Sequence, residues 1–172
     1  MNEPRWLDDE QQQAWRALLV FVNRGLPEIE RTIKAHGLLA VHYTVLVELS
    51  DAPAHTLGLS ELADMANVSQ SRLTHRLRTL TEQGFVTIEP DPHDARAKNA
   101  TLTASGLQWL ASVAPHHAED VQRLLFDHLT PAETRALANG LGKVAANLCE
   151  HADFQACADA EAGSQPPTGR DS

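Results

Sequence analysis

Residues 91–103 read DPHDARAKNATLT, with Arg96 and Lys98 one residue apart just beyond an Asp-Pro turn. A guanidinium carried on a thin loop suits the narrow minor groove of A·T-rich DNA. Asp94, two residues before Arg96, is expected to orient that arginine through a side-chain contact as well as to offset its charge. A second group precedes it. In SQSRLTHRLRTL, Leu73, Leu77 and Leu80 fall on one helical stripe, and the opposite face carries Ser71, His75 and Arg78, flanked by Arg72 and Thr74. Gln and Arg side chains make bidentate contacts to base edges, and short polar residues in the first turn of a helix leave its free amides open to phosphates. Recognition of duplex DNA is the chemistry both groups suggest. Ser71, His75 and Arg78 are expected in a groove, Ser69, Gln70 and Thr74 near bases or phosphates, and Arg96 and Lys98 on a wing.

The total charge argues the other way, because affinity for DNA comes largely from Lys and Arg on phosphates and this chain has a net charge of −9. The distribution resolves the conflict. Residues 69–80 hold Arg72, Arg76 and Arg78 with no acid, and residues 95–110 hold Arg96 and Lys98 with none. The acidic excess lies in segments such as LDDEQ and HHAED. Residues 60–106 contain five basic and six acidic side chains, so binding is expected to be modest and strongly dependent on salt.

These groups need elements to position them. Asp8 is a plausible N-cap for a helix whose apolar residues run from Ala14 to Ile33 and which reaches about Ala35, with Pro27 as the place for a kink. Gly37 closes it, and LLAVHYTVLVELS gives a second helix, apolar nearly all round and therefore buried. SELADMA is a short helix, and a break at 67–69 leads to the helix that Ser69 can cap and Gly84 can end. FVTIE and NATLT alternate as two strands around the 91–98 turn. ASGLQWLASVA starts a further helix that Pro115 is expected to kink or break. Thr130-Pro131-Ala132-Glu133 is a capping box that opens a last helix to about Glu150.

The resulting order is mainly α with a small two-stranded wing: a winged helix-turn-helix plus a helical dimerisation region built from the N- and C-terminal helices. The expected division is a dimerisation helix over 1–36, the winged domain over 37–106, dimerisation helices over 107–157 and a disordered tail over 158–172, whose small polar composition cannot offset the cost of ordering. A hydrophobic content of 42% suffices for a packed core. No run nears the roughly 18 apolar residues of a membrane helix and the N-terminus is acidic, so no membrane partner and a cytoplasmic location are expected. Cys149 and Cys157 lack CxxC spacing and read as free thiols, with a redox switch as the alternative.

The segments LSELADMANVS, SQSRLTHRLRTLTEQGFV and DPHDARAKNATLTASG resemble the MarR family of bacterial transcriptional regulators, whose wing reads D-x-R followed by LT-x-x-G, here Leu102, Thr103 and Gly106. The likeness covers most of residues 10–150, and where family members often carry Arg this chain has His75. It implies a homodimer through the first and last helices and a pseudo-palindromic site. Two-fold symmetry then puts half-sites about 10 base pairs apart. It also implies release of DNA by a small aromatic or phenolic effector lodged between the dimer helices and the DNA-binding lobe. Trp15, His42 and Tyr43 are the candidate lining residues, with core packing as the competing role.

Repression is favoured over activation because a compact dimer without a partner domain acts most simply by occluding a promoter. Two other readings stand beside it. A metal-sensing regulator would draw on His116, His117 and Asp120 with His36 and His42, but adjacent histidines on a helix diverge by about 100°, so no metal site is assigned. A helical protein-interaction module would bind no DNA and would be indifferent to loss of Arg96. No G-x-S-x-G, phosphate loop or H-E-x-x-H is present, which argues against an enzyme, and no cofactor is expected.

Overall fold

The computed structural model describes residues 4–66, 68–94 and 96–148. Cys149, Cys157 and the expected tail over 158–172 lie outside them. The order is α1 (Asp9–Val20), a π-helical turn (Phe21–Gly25), α2 (Leu26–Ala35), α3 (Ala40–Asp51), β1 (Thr56–Gly58), α4 (Leu59–Met65), α5 (Gln70–Glu82), β2 (Val86–Pro90), β3 (Lys98–Leu102), α6 (Ala104–Leu124) and α7 (Pro131–Leu148). Short 3₁₀ turns at Pro53–His55 and Phe126–His128 link α3 to β1 and α6 to α7. This is a mainly helical winged helix-turn-helix.

Asp8 caps α1 as expected, its carboxylate accepting the Gln11 N–H at 2.8 Å while the Gln11 side chain accepts the Asp8 N–H at 3.2 Å. The helix continues past Val20 through the π turn. The disturbance belongs to Pro27, which lacks an N–H and whose ring crowds the carbonyl four residues back, at Asn23; a wider turn immediately before it relieves that contact. At the end of α2, Gly37 has φ +91°, the left-handed conformation expected of it.

The core lies beneath the helix-turn-helix. Leu46 and Leu49 of α3, Leu62 of α4, Leu73, Leu77 and Leu80 of α5, Val86 and Ala100 of the sheet, and Val113 of α6 are all essentially inaccessible. The leucine stripe of α5 is thus wholly consumed by packing, which leaves its other face outward. Gly84 then ends α5 in a Schellman turn at φ +74°, with Gly84 N–H on the Thr81 carbonyl and Phe85 N–H on that of Leu80.

The wing is the antiparallel pair β2–β3, with Val86 opposite Leu102 and Pro90 opposite Lys98. A third strand extends it: β1 pairs with β3 on the far side, Leu57 opposite Ala100, and the Thr56 and Thr101 hydroxyls meet at 2.9 Å. Three residues are too few to show a strand period, so the hairpin is legible in the sequence and β1 is not.

LT-x-x-G has a structural cause. Thr103 caps α6 by accepting the Gly106 N–H at 3.1 Å, and the same hydroxyl donates to the Gly84 carbonyl at 2.7 Å. Thr103 N–H bonds the Phe85 carbonyl at 2.9 Å. A Cβ on Gly106 would stand 2.4 Å from that same carbonyl oxygen, so only glycine lets α6 start this close to the end of α5.

Pro115 does not break α6, contrary to expectation: the helix runs unbroken over Ala104–Leu124. One missing hydrogen bond is outweighed because the helix is held on both sides of the proline. Leu110 and Val113 are buried before it, and after it His117 packs on Tyr43 and Asp120 accepts from the Thr32 hydroxyl. The capping box at Thr130 forms as expected, with Thr130 N–H on the Glu133 carboxylate at 2.8 Å and Glu133 N–H on the Thr130 hydroxyl at 3.3 Å.

Candidate nucleic-acid interface

The helix-turn-helix sets α5 across the surface, and β2–β3 sets the wing beside it. Ser69, Gln70, Ser71, Arg72, Thr74, His75, Arg78, Asp94, Arg96 and Lys98 are all exposed. A cleft of about 410 Å3 separates the two elements, with Gln70 and Thr74 on the helix side and Arg96 and Lys98 on the wing side. Helix residues and wing cations far apart in sequence thus line one groove.

Ser69 occupies the N-cap position, but its hydroxyl lies 3.1 Å from that of Ser71 and bonds no backbone N–H of the first turn. The first-turn amides of α5 therefore keep their donors for an outside acceptor. Gln70 donates to Ser60 at 2.9 Å, tying α4 to the start of α5. Among the described residues, Arg31, Arg78 and Arg123 pair with carboxylates, and neither Arg96 nor Lys98 does. Arg78 lies 3.7 Å from Glu82 with both side chains largely in solvent, a pairing a nucleic acid can displace at small cost.

The Asp94 carboxylate accepts the backbone N–H of Arg96 at 2.8 Å. Rather than contacting the Arg96 side chain as expected, the aspartate shapes the turn, because the backbone donor two residues on is nearer than a guanidinium on a flexible stem. Sequence reasoning missed Asp91. Its carboxylate accepts the N–H groups of His93 and Asp94 at 2.7 and 3.0 Å and the Asn99 amide at 2.8 Å. These donors, His93 first and Asn99 next, hold its pKa below the usual carboxylate value. Asp before Pro at the start of a turn was the available signal.

The three candidate effector residues have different surroundings in the protomer. Trp15 stands in a shallow hollow formed with Trp6, Leu7, Gln12 and Arg16, all from the N-terminal segment. His42 is buried in α3 and accepts the Leu39 N–H through Nδ1 at 3.3 Å. Burial chiefly, then the nearby Arg76 and His75 of α5, holds its imidazole below the ordinary value and therefore neutral. Tyr43 packs on His117, ring centres 4.8 Å apart, and edge-on to Trp109 at 6.5 Å.

The histidines of α6 are also engaged separately. His116 stacks on His36 at 5.6 Å, whereas the buried Nδ1 of His117 has no hydrogen-bond partner among the described residues. Asp120 accepts from Thr32 and from Arg123, which together hold its pKa below the ordinary value. No group of three or more His, Cys, Asp or Glu among the described residues could hold a metal ion.

Comparison with known proteins gives a consistent picture. Residues 36–97 match the sequence model described as the MarR family. A crystal structure of Sco3205, a MarR family transcriptional regulator from Streptomyces coelicolor in complex with DNA, superimposes with a TM-score of 0.81 at 34% identity, covering 86% of this chain and 93% of that one. AbsC, a MarR family transcriptional regulator from the same organism, gives 0.80 at 33%, covering 84% and 98%. The HTH-type transcriptional repressor YetL of Bacillus subtilis is 29% identical over 97 residues, covering 56% of this chain and 58% of the relative. The transcriptional activatory protein BadR of Rhodopseudomonas palustris is 32% identical over 77 residues, covering 44% of each. The chain thus spans about half the length of these curated relatives.

Proposed function

The chain belongs to the MarR family of transcriptional regulators, and from that premise we propose that it binds a pseudo-palindromic duplex operator as a homodimer in the cytoplasm and represses by occluding a promoter. The observation that carries this is the pair Arg96 and Lys98, without carboxylate partners among the described residues and facing Gln70 and Thr74 across one cleft. A bound duplex would take the α5 face in its major groove and the wing in the adjoining minor groove.

Support for the homodimer comes from α1 and α7. Neither has a buried residue within the protomer, yet Trp15, Leu18, Val20, Leu141 and Val144 are large, apolar and exposed. A second copy covers such surface at the least cost in new interactions. The related proteins that bear functional names include both a repressor and an activatory protein, so repression rests on the compact architecture alone.

For release, the proposed signal is a small aromatic or phenolic anion. Two groups on α3 support such a site: Tyr43 packs with His117 and Trp109 of α6, and His42 lies near Arg76 and His75 of α5.

The test is fluorescence anisotropy against the DNA upstream of the chain's own coding region, at two salt concentrations, with wild type and Arg96→Ala compared. Saturable binding weakened by salt and by the substitution is expected. Equal, negligible binding by both proteins to that DNA and to a random-site library refutes a DNA-binding role, and a footprint spanning one half-site refutes the dimer.

A further inference from the structure

We propose that Asp91, tied to Asn99, is a positioning residue for DNA binding, fixing the wing tip so that Arg96 and Lys98 meet the phosphates already ordered. The inference rests on the DNA-binding reading above.

The tip between Pro90 and Lys98 is a thin loop with few apolar groups to order it. Pro92 supplies no N–H, and the N–H groups of His93, Asp94 and Arg96 point within the loop. Two carboxylates collect them: Asp91 takes His93 and Asp94, and Asp94 takes Arg96. Backbone bonds from Asp91 N–H to the Ala97 carbonyl at 3.0 Å and from Ala97 N–H to that of Asp94 at 2.9 Å close the turn. What sets Asp91 apart is its second oxygen, which accepts from Asn99 at 2.8 Å. Asn99 lies on β3, the central strand, opposite Glu89 of β2 and Gly58 of β1. One carboxylate therefore fastens the loop to the start of the central strand.

Electrostatics alone would disfavour this residue. Asp91 lines the same cleft as Arg96 and Lys98, where a negative charge repels the phosphates those cations attract. Its three donors disperse that charge, and the order it imposes removes entropy that the cations would otherwise lose on binding.

The test uses Asp91→Asn, Asn99→Asp and the double variant in the full chain, read by DNA anisotropy and by amide exchange of the DNA-free protein. Charge alone predicts that Asp91→Asn tightens binding. Positioning predicts the opposite, because the uncharged amide keeps a single acceptor oxygen for His93 and Asp94 and leaves Asn99 without its charge-assisted bond. Losing a hydrogen bond of ordinary strength weakens affinity about three- to tenfold, and exchange at His93 and Asp94 quickens. The double variant restores both readouts, since swapping the carboxylate and the amide between the two positions reverses donor and acceptor at unchanged net charge. Asp91→Asn that binds as tightly as wild type, or a double variant no better than the singles, overturns this role alone. Wild type that binds no DNA while exchange follows the expected pattern overturns the regulator reading and this role with it.

Discussion

Gly106→Ala tests how the wing is anchored. The new methyl would stand 2.4 Å from the Phe85 carbonyl oxygen and 2.7 Å from a Leu102 methyl. Leu102 can rotate; the carbonyl cannot withdraw without releasing Thr103 N–H, which it accepts at 2.9 Å. Overpacking costs about 1–3 kcal/mol, and loss of that hydrogen bond adds about 0.5–1.5 kcal/mol. Replacing glycine by alanine in a helix returns about 1 kcal/mol, and less here because the position is in the first turn. The net expectation is a loss of roughly 1–3 kcal/mol, which lowers the urea midpoint by about 1 M for a protein of this size. Equilibrium unfolding followed by circular dichroism, at matched protein concentration so that any dimer contributes equally, gives the number. A midpoint at or above the wild-type value, with unchanged slope, would refute close approach as the reason for the glycine.

Lys98→Ala should weaken binding to all DNA sequences alike and lower the salt slope by about 1, whereas Arg78→Ala should cost roughly 1–3 kcal/mol at its own base pair and relax specificity there; titrations of matched and mismatched duplexes at several salt concentrations separate the two. Ala54 sits at φ +54°, where a Cβ crowds the backbone. Ala54→Gly should raise the melting temperature by a few degrees, the strain relieved exceeding the added chain entropy by up to about 1 kcal/mol. Burial holds His42 and His117 below their unfolded value of 6.5, with Arg76 adding to the effect at His42 and Asp120 opposing it at His117. The unfolded chain therefore takes up protons first as the pH drops. Stability should be level above neutrality and fall below about pH 6.5; His42→Leu should flatten part of that fall, and an unchanged pH profile would exclude His42 as a source.

Much of the architecture was legible because it is local. The Asp8 and Thr130 capping boxes, the left-handed glycines at 37 and 84 and the leucine stripe of α5 each depend on residues close to one another in the chain. The wing could be located from its breakers and alternation. At Pro115 local chemistry favours a break, whereas Tyr43 of α3 meets Trp109 before the proline and His117 after it, and Thr32 of α2 holds Asp120. Asp91 was passed over because the partner that gives it a role beyond the turn, Asn99, lies on the returning strand.

Periodicity, capping and turn chemistry over short separations set the order of the main helices and the hairpin, the polar face of α5 and the position of two cations on that hairpin, all readable from the sequence. Tertiary structure alone decided that this hairpin lies across a cleft from α5, that Asn99 anchors its tip, and that Trp15 has different surroundings from His42 and Tyr43. Those outcomes depend on how separate faces are buried against one another, and burial is settled only when the whole core is packed.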